Sequence, residues 1–149
     1  MRLLSEVMNV AEFTQALLQV VEVGQNVLLS DTAVKGNRCI RHRQGGGIVT
    51  LRAGTNQCRA LYKVTFGGNI SIPTGGTVGE ISLAIAIEGE ALATSRMVVT
   101  PAAVDELWNV FSAAVVDVPC GCCVTVSVRN TSDQPINVTG ANLIVERIA

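Results

Sequence analysis

The chain has few of the side chains that acid–base catalysis requires. Its 149 residues include a single histidine, His42, which stands between Arg41 and Arg43, and no Asp or Glu occurs between Asp31 and Glu80. A Ser/His/Asp centre needs a carboxylate that orients the histidine, and a cupin-type metal site needs several histidines. We therefore expect a protein that is not an enzyme and needs no cofactor, with His42 as an ordinary strand residue.

Aromatic residues, charged residues and long apolar runs are also scarce. Aromatic residues make up 3% of the chain and charged residues 15%, yet 48% is hydrophobic and the mean hydropathy is +0.41. No run of about eighteen apolar residues occurs, which argues against a membrane-spanning segment. The apolar excess must then be covered elsewhere, and the sequence predicts a subunit interface.

The first residues do not have the pattern of a secretory signal, because no continuous apolar stretch or small-residue cleavage site follows Arg2. We expect synthesis in a cytoplasm, where five cysteines stay reduced. Residues 1–14 are predicted to form an arm or short helix, followed by one domain over residues 15–149. The arm is the candidate anchor to a larger particle, through its apolar residues Leu3, Leu4, Val7, Met8 and Phe13.

Alternating apolar and polar residues predict β-strands through most of the chain. In Gly79–Glu88, Ile81, Leu83, Ile85 and Ile87 alternate with small residues, and Val110–Val118 has a similar small face. Small side chains allow close approach of a second layer, so we expect a subunit interface on these faces. The candidate interface residues are Ser82, Ala84, Ala86, Ser112 and Ala114.

Turn residues punctuate these strands at short intervals. A strand over Cys58–Phe66 is predicted to end at Gly67-Gly68-Asn69, and Glu88-Gly89-Glu90 predicts a hairpin turn. Thr100-Pro101 followed by Asp105-Glu106 predicts one or two helical turns. The count of eight to ten short strands indicates an all-β sandwich or barrel.

Three cysteines lie within four residues at Cys120, Cys122 and Cys123. They offer most of the ligands of a zinc or iron–sulfur site, which Cys39, Cys58 or a symmetry-related chain would complete. Structural zinc sites favour two Cys-x-x-Cys pairs, and no second pair is present. We favour a tight turn at Cys120-Gly121 with Cys122 and Cys123 as small hydrophobic residues, and we predict no metal.

Basic residues are concentrated in one block. Seven of the eleven lie between Lys35 and Lys63 with no acid among them. Such a block can face nucleic acid, an acidic glycan or an acidic protein. Because the net charge is only −1 and few aromatics are available for stacking, solvated strand faces are favoured over nucleic-acid binding.

Seven short segments of the chain are similar in order and spacing to the strands of one known family. They are Val23-Gly24-Gln25-Asn26-Val27, Leu51-x-x-Gly54, Ile81-x-Leu83-Ala84-Ile85, Val118-Pro119-x-Gly121-x-x-Val124-Thr125, Arg129-Asn130-Thr131-Ser132, Ile136-Asn137-Val138 and Ala141-Asn142-Leu143. These segments resemble strands of trimeric jelly rolls of the tumour-necrosis-factor and complement type, in the bacterial form found at the carboxy end of collagen-like spore-surface glycoproteins. The sequence departs from the family at Asn56-Gln57-Cys58, where an aromatic is expected, and in having no Gly-X-Y stalk.

The resemblance implies a jelly-roll sandwich of antiparallel strands that assembles as a homotrimer. Without a stalk or a signal, the chain is most similar to a bacteriophage virion component, such as a head-decoration or head-fibre protein made in the host cytoplasm. Its partners would be its own copies and a capsid or other virion protein. The alternatives are a spore-coat or cell-surface protein, and a receptor- or glycan-binding module with ligand loops at Gly67–Gly79 and Gln44–Gly47.

Overall fold

The strands form two antiparallel sheets that face each other, as described by a computed structural model for residues 9–53, 59–120 and 123–149. The first sheet contains β1 (Val10–Gln15), β2 (Gln19–Val21), β3 (Asp31–Val34), β6 (Ala60–Ser71), β10 (Trp108–Val118) and β12 (Ile136–Arg147). The second contains β4 (Ile40–His42), β5 (Val49–Arg52), β7 (Ile81–Ile87), β8 (Glu90–Ala91), β9 (Met97–Val99) and β11 (Cys123–Asn130). One turn of 3-10 helix, Ala93–Ser95, lies between β8 and β9.

Strand order follows the jelly-roll pattern, in which consecutive strands often belong to different sheets. The first sheet runs β10-β6-β12-β1-β3, with β2 also paired to β12, and the second runs β4-β5-β11-β7-β8, with β9 paired to β7. The last long strand, β12, lies in the centre of its sheet between β6 and β1. The predicted all-β jelly roll is thus confirmed, with twelve strands in the described residues, four of them only two or three residues long.

The core lies between the sheets and is built by side-chain alternation. In β6, Tyr62, Val64 and Phe66 have no exposed area, whereas Lys63 between them is exposed. Ile81, Leu83 and Ile85 of β7 are fully buried from the opposite sheet. Every second residue of a strand points to the same face, so this alternation alone assigns the aliphatic residues to the interior.

The structure differs from the expected boundaries at the amino end. Residues 10–14, predicted as part of an arm or helix, belong to β1, which pairs with both β12 and β3. The domain therefore extends at least to Val10, and residue 15 is the end of a strand. The segment Val10–Gln15 is short and includes three polar residues, and one of its two pairing partners, β12, lies more than a hundred residues away in the chain.

Two further local predictions are wrong. No helix forms after Thr100-Pro101. Instead, Asp105 has a positive φ of 61° and its N–H donates to the Ile72 carbonyl at 2.7 Å. The second error concerns Gly67-Gly68, which do not end β6 but continue it to Ser71. Gly67 fits because a Cβ there would lie 2.9 Å from Oδ1 of Asn142 on β12.

Tyr62 is the only tyrosine in the chain, and its environment predicts a pH dependence of stability. Burial, with a smaller contribution from Cys39 and an opposing one from Arg147, raises its pKa from 10.0 to about 12. Its hydroxyl donates to the Arg52 carbonyl at 2.7 Å. The folded state thus holds this proton more tightly than the unfolded state. The resulting stability is complete below pH 10 and is lost as the pH rises toward 12.

We expect the unfolding free energy to fall by about 2 to 3 kcal/mol across this interval because of Tyr62. Denaturant unfolding at a series of alkaline pH values measures the fall, and tyrosinate absorbance of the native protein locates the pKa directly. The Tyr62→Phe variant serves as the control and is expected to lack this component. A native tyrosine that titrates near pH 10 contradicts the prediction.

In the described part of the chain, no helix has the length and apolar content to cross a membrane.

Candidate assembly surface

The outer face of the first sheet carries large apolar side chains on its edge strand, β10. Phe111 is 67% exposed and Val115 59% exposed, with the exposed Ala113 between them. On the opposite side of the same strand, Val110, Val116 and Val118 are buried in the core. This strand is apolar on both faces, which is typical of a strand that is covered on both sides.

The backbone register shows what lies beside these side chains across the sheet. Phe111 is opposite Gly67 of β6, which is opposite Asn142 of β12. Val115 is similarly opposite Lys63. The residue next to Phe111 across the sheet is therefore a glycine. Because Gly67 has no side chain, the surface beside the aromatic ring is low, and a neighbouring chain can approach it closely.

Polar side chains occupy the middle of the same face and are hydrogen-bonded to each other. Asn109 Nδ2 donates to the Gly68 carbonyl at 3.3 Å and to Asn69 Oδ1 at 3.2 Å. Asn142 Nδ2 donates to a carboxylate oxygen of Glu12 at 3.2 Å. These groups already have hydrogen-bond partners within one chain. Covering them with another subunit therefore leaves few polar groups without a partner.

A second border of this face is apolar again, in the segment that links β1 to β2 and in β2 itself. Leu17 is 78% exposed, Leu18 59% and Val20 54%. The Ala16 carbonyl accepts from the Gly140 N–H at 3.1 Å and from the Thr139 hydroxyl at 3.2 Å, which holds the segment against β12. The outer face thus has two apolar borders, β10 along one edge and Leu17–Val20 beside the first residues of β12, and the residues between them include the polar Glu12 and Asn142 and the half-buried Ile144. We call this face the assembly surface.

The five predicted interface residues lie elsewhere. Ser82, Ala84 and Ala86 are at most 1% exposed in a single chain. The Ser82 hydroxyl lies 2.6 Å from the Thr131 hydroxyl and accepts from Arg96 Nη2 at 3.2 Å. Residues of the same chain therefore cover this small face, and these three side chains have almost no area to offer a partner.

Ser112 and Ala114 are also on the side of β10 that faces the core, and Ala114 packs against it. The small residues allow close packing within the protomer, and the large residues at the alternate positions are exposed. A criterion of small side chains does not select Phe111 and Val115. The sequence signal that identifies them is the presence of apolar residues at both odd and even positions of one strand, that is, on both of its faces.

The anchor and thiol candidates are only partly described. Leu3, Leu4, Val7 and Met8 lie outside the described residues, and Phe13 is 3% exposed in the core, so it is a packing residue in the domain. Cys122 is also outside the described residues, while Cys120 and Cys123 are exposed. Among the residues that are described, no group of three or more His, Cys, Asp or Glu is placed to hold a metal.

His42 lies at the second sheet's edge strand β4, away from the assembly surface. Its Nε2 donates to the Gly46 carbonyl at 2.8 Å, and its ring lies 4.5 Å from that of Phe13, centroid to centroid. No carboxylate is hydrogen-bonded to it within the described ranges. This arrangement is that of a packed strand histidine.

Comparison with protein-family models gives no match, and comparison with the sequences of curated proteins gives none either. Solved structures do match. An Eiger TNF from S. frugiperda aligns with a TM-score of 0.71 and 16% identity, over 95% of this chain and 93% of the other. The globular domain of a zebrafish complement 1qA protein gives 0.61 and 12%, over 93% and 94%. PRD1 vertex protein P5 gives 0.55 and 13%, over 96% and 99%.

These likenesses span nearly the whole chain but are too low in identity to show more than the fold. The bacterial spore-glycoprotein form of the family stays a prediction. The two sheets, their strand order and these structural neighbours together show that the chain has the TNF-like jelly-roll fold.

Proposed function

We propose that this chain is a non-enzymatic structural protein of a bacteriophage virion, a homotrimeric head-decoration or head-fibre protein bound to the capsid. The observation that carries the proposal is the assembly surface, whose exposed apolar side chains require a partner. The likeness to a vertex protein supports a virion location.

A closed ring is favoured over a dimer because the two apolar borders are different from each other, and the number three follows the resemblance to trimeric jelly rolls. A contact between the β10 border of one copy and the Leu17–Val20 border of the next is head-to-tail, and such contacts close into a ring when the rotation between copies permits. Each copy then covers both of its borders. In an isologous dimer the same border of both copies is in contact. A dimer that pairs through one border therefore leaves the other border exposed.

The attachment to the particle is assigned to the segment before β1. Phe13 is excluded from this role by its burial, which leaves Leu3, Leu4, Val7 and Met8 as the anchor candidates. Apolar side chains ahead of a folded domain suit a groove on another protein, in the manner of short apolar motifs.

We expect antibody against the purified protein to label intact particles of the virus that carries the gene, at positions related by the capsid symmetry. Removal of residues 2–8 is expected to leave the oligomer intact but to abolish its rebinding to particles from which the protein has been stripped. Particles that contain none of the protein contradict the virion proposal. Unchanged rebinding of the shortened protein contradicts only the anchor assignment.

A further inference from the structure

A cleft of about 540 Å³ opens at the edge of the sandwich, away from the assembly surface. It lies between β3, the edge strand of the first sheet, and β4, the edge strand of the second, which residues 35–39 connect. The residues that line it include Phe13, Lys35, Asn37, Arg38, Arg41 and His42. The size suits one or two sugar rings and is small for a duplex of nucleic acid.

The charge on the cleft wall is of one sign. Lys35, Arg38 and Arg41 line it, no Asp or Glu does, and none of the three makes an ion pair with any other described residue. The nearest acid in sequence, Asp31, accepts a hydrogen bond of 3.4 Å from the Ser30 hydroxyl and is not part of the wall. Three uncompensated cations around a concavity attract an anionic group.

The loop that carries two of these cations is held in place by internal hydrogen bonds. Asn9 Nδ2 donates to Asn37 Oδ1 at 2.7 Å, and the Asn37 N–H donates to Asn9 Oδ1 at 2.9 Å. Gly36 lies so close to β1 that a Cβ there would be 3.1 Å from the Ala11 side chain. The loop is therefore preorganised, which lowers the ordering cost of binding a ligand.

His42 indicates which hydrogen-bonding group a ligand of the cleft should carry in addition to its negative charge. Because a carbonyl only accepts, Nε2 carries the proton that is shared with Gly46, and Nδ1 of the neutral ring is an acceptor. Nδ1 is buried and has no hydrogen-bond partner among the described residues. An acceptor matches a hydroxyl group and does not match a bare anion. Because His42 is part of the cleft wall, a hydroxyl donor on a bound ligand is the group that would partner Nδ1 once the ring turns toward the cleft.

We propose that this cleft binds an acidic saccharide. Its carboxylate or sulfate would pair with Arg38, Arg41 and Lys35, and a hydroxyl of the same sugar would donate to His42. Guanidinium groups suit this role because they bind carboxylate and sulfate oxygens through two parallel N–H donors. The inference does not depend on the virion proposal, since it uses no residue of the assembly surface or of the amino-terminal segment.

The single histidine makes the test direct, because its ring signals in NMR spectra come from one residue. The probes are the methyl glycoside of N-acetylneuraminic acid, a sulfated uronic-acid disaccharide, the neutral methyl glycoside of N-acetylglucosamine, inorganic sulfate and a short single-stranded oligonucleotide. We expect at least one of the two acidic sugars to shift the His42 signals and to bind more tightly than the neutral sugar or sulfate. Titration calorimetry provides the dissociation constants.

The variant Arg38→Gln/Arg41→Gln is expected to weaken this binding by about tenfold or more. The matched control, Arg43→Gln/Arg52→Gln, removes the same charge from exposed residues that lie outside both the cleft and the assembly surface, and is expected to change the binding less than about twofold. Equal losses in both variants overturn the site. Equal binding of sulfate alone or of the neutral sugar overturns the saccharide assignment, as does tighter binding of the oligonucleotide. No binding of either acidic sugar at millimolar concentration also overturns it.

Discussion

Replacing Phe111 and Val115 with aspartate is expected to convert the trimer into folded monomers. In the proposed ring each side chain is covered by the next copy, and burying an apolar side chain of this size stabilises by about 2 kcal/mol. Loss of both lowers the affinity of each contact by about a thousandfold, and the new carboxylates would be buried without partners. Both side chains are exposed in the single chain, so the fold itself should tolerate the change.

Sedimentation velocity and light scattering at micromolar concentration measure the oligomer directly. The matched control is Val78→Asp/Val98→Asp, since these valines are 50% and 44% exposed but lie outside the first sheet. This control is expected to remain trimeric. A wild-type protein that is monomeric under these conditions contradicts the trimer, and a trimeric Phe111→Asp/Val115→Asp variant contradicts the assigned surface.

The direction of the contact is tested by mixing two variants. Leu17→Asp/Leu18→Asp damages the second border and is also expected to give monomers. In a head-to-tail ring, one variant keeps the Leu17–Val20 border and the other keeps the β10 border, so a mixture can form a single intact contact. We expect a weak heterodimer in the mixture and no such species in either variant alone. An absence of the heterodimer at high concentration contradicts head-to-tail assembly.

The strands that the sequence predicts well are those with strict alternation and a local turn. β7 and its hairpin at Glu88-Gly89 are of this kind. Both turn residues have positive φ, and glycine adopts this conformation without strain, so the turn is recognisable from its sequence. β10 and the strands that end the chain are also recognisable. In each case the information lies within about ten consecutive residues.

What escaped prediction depends on contacts between distant segments. β6 continues through Gly67-Gly68 because β12 lies directly beside it, and no local rule reports this neighbour. The small face of β7 is likewise buried through tertiary contacts, among them those of Arg96 and Thr131 with Ser82. The basic cleft is predictable in part. The run of cations is visible in the sequence, but the concavity arises only where β3 and β4 meet.

Asn130 is the polar residue whose loss should destabilise the fold most. It is 1% exposed, and its Nδ2 donates to the carbonyls of Val21 at 2.9 Å and Gln134 at 3.0 Å. Its Oδ1 accepts from the Ser132 N–H at 2.8 Å. One amide thus joins β2, the end of β11 and the turn before β12. Asn130-Thr131-Ser132 also matches the Asn-x-Ser/Thr pattern of glycosylation sites, but the enclosed Asn130 side chain is not accessible to a glycan-transferring enzyme in the folded protein.

Asn130→Ala is expected to lower the unfolding free energy by about 2 to 4 kcal/mol, because it removes the side-chain hydrogen bonds of one buried and two partly buried backbone groups. Asn130→Asp should cost at least as much, since a carboxylate cannot donate to the two carbonyls and is itself buried. Denaturant unfolding at one fixed protein concentration measures both, which keeps the contribution of assembly constant. Asp133→Ala, an exposed position in the same turn, is the matched control and should change stability by less than about 0.5 kcal/mol. Equal effects at positions 130 and 133 would show that the amide does not join the three segments, and the turn before β12 would then be stabilised by its backbone contacts alone.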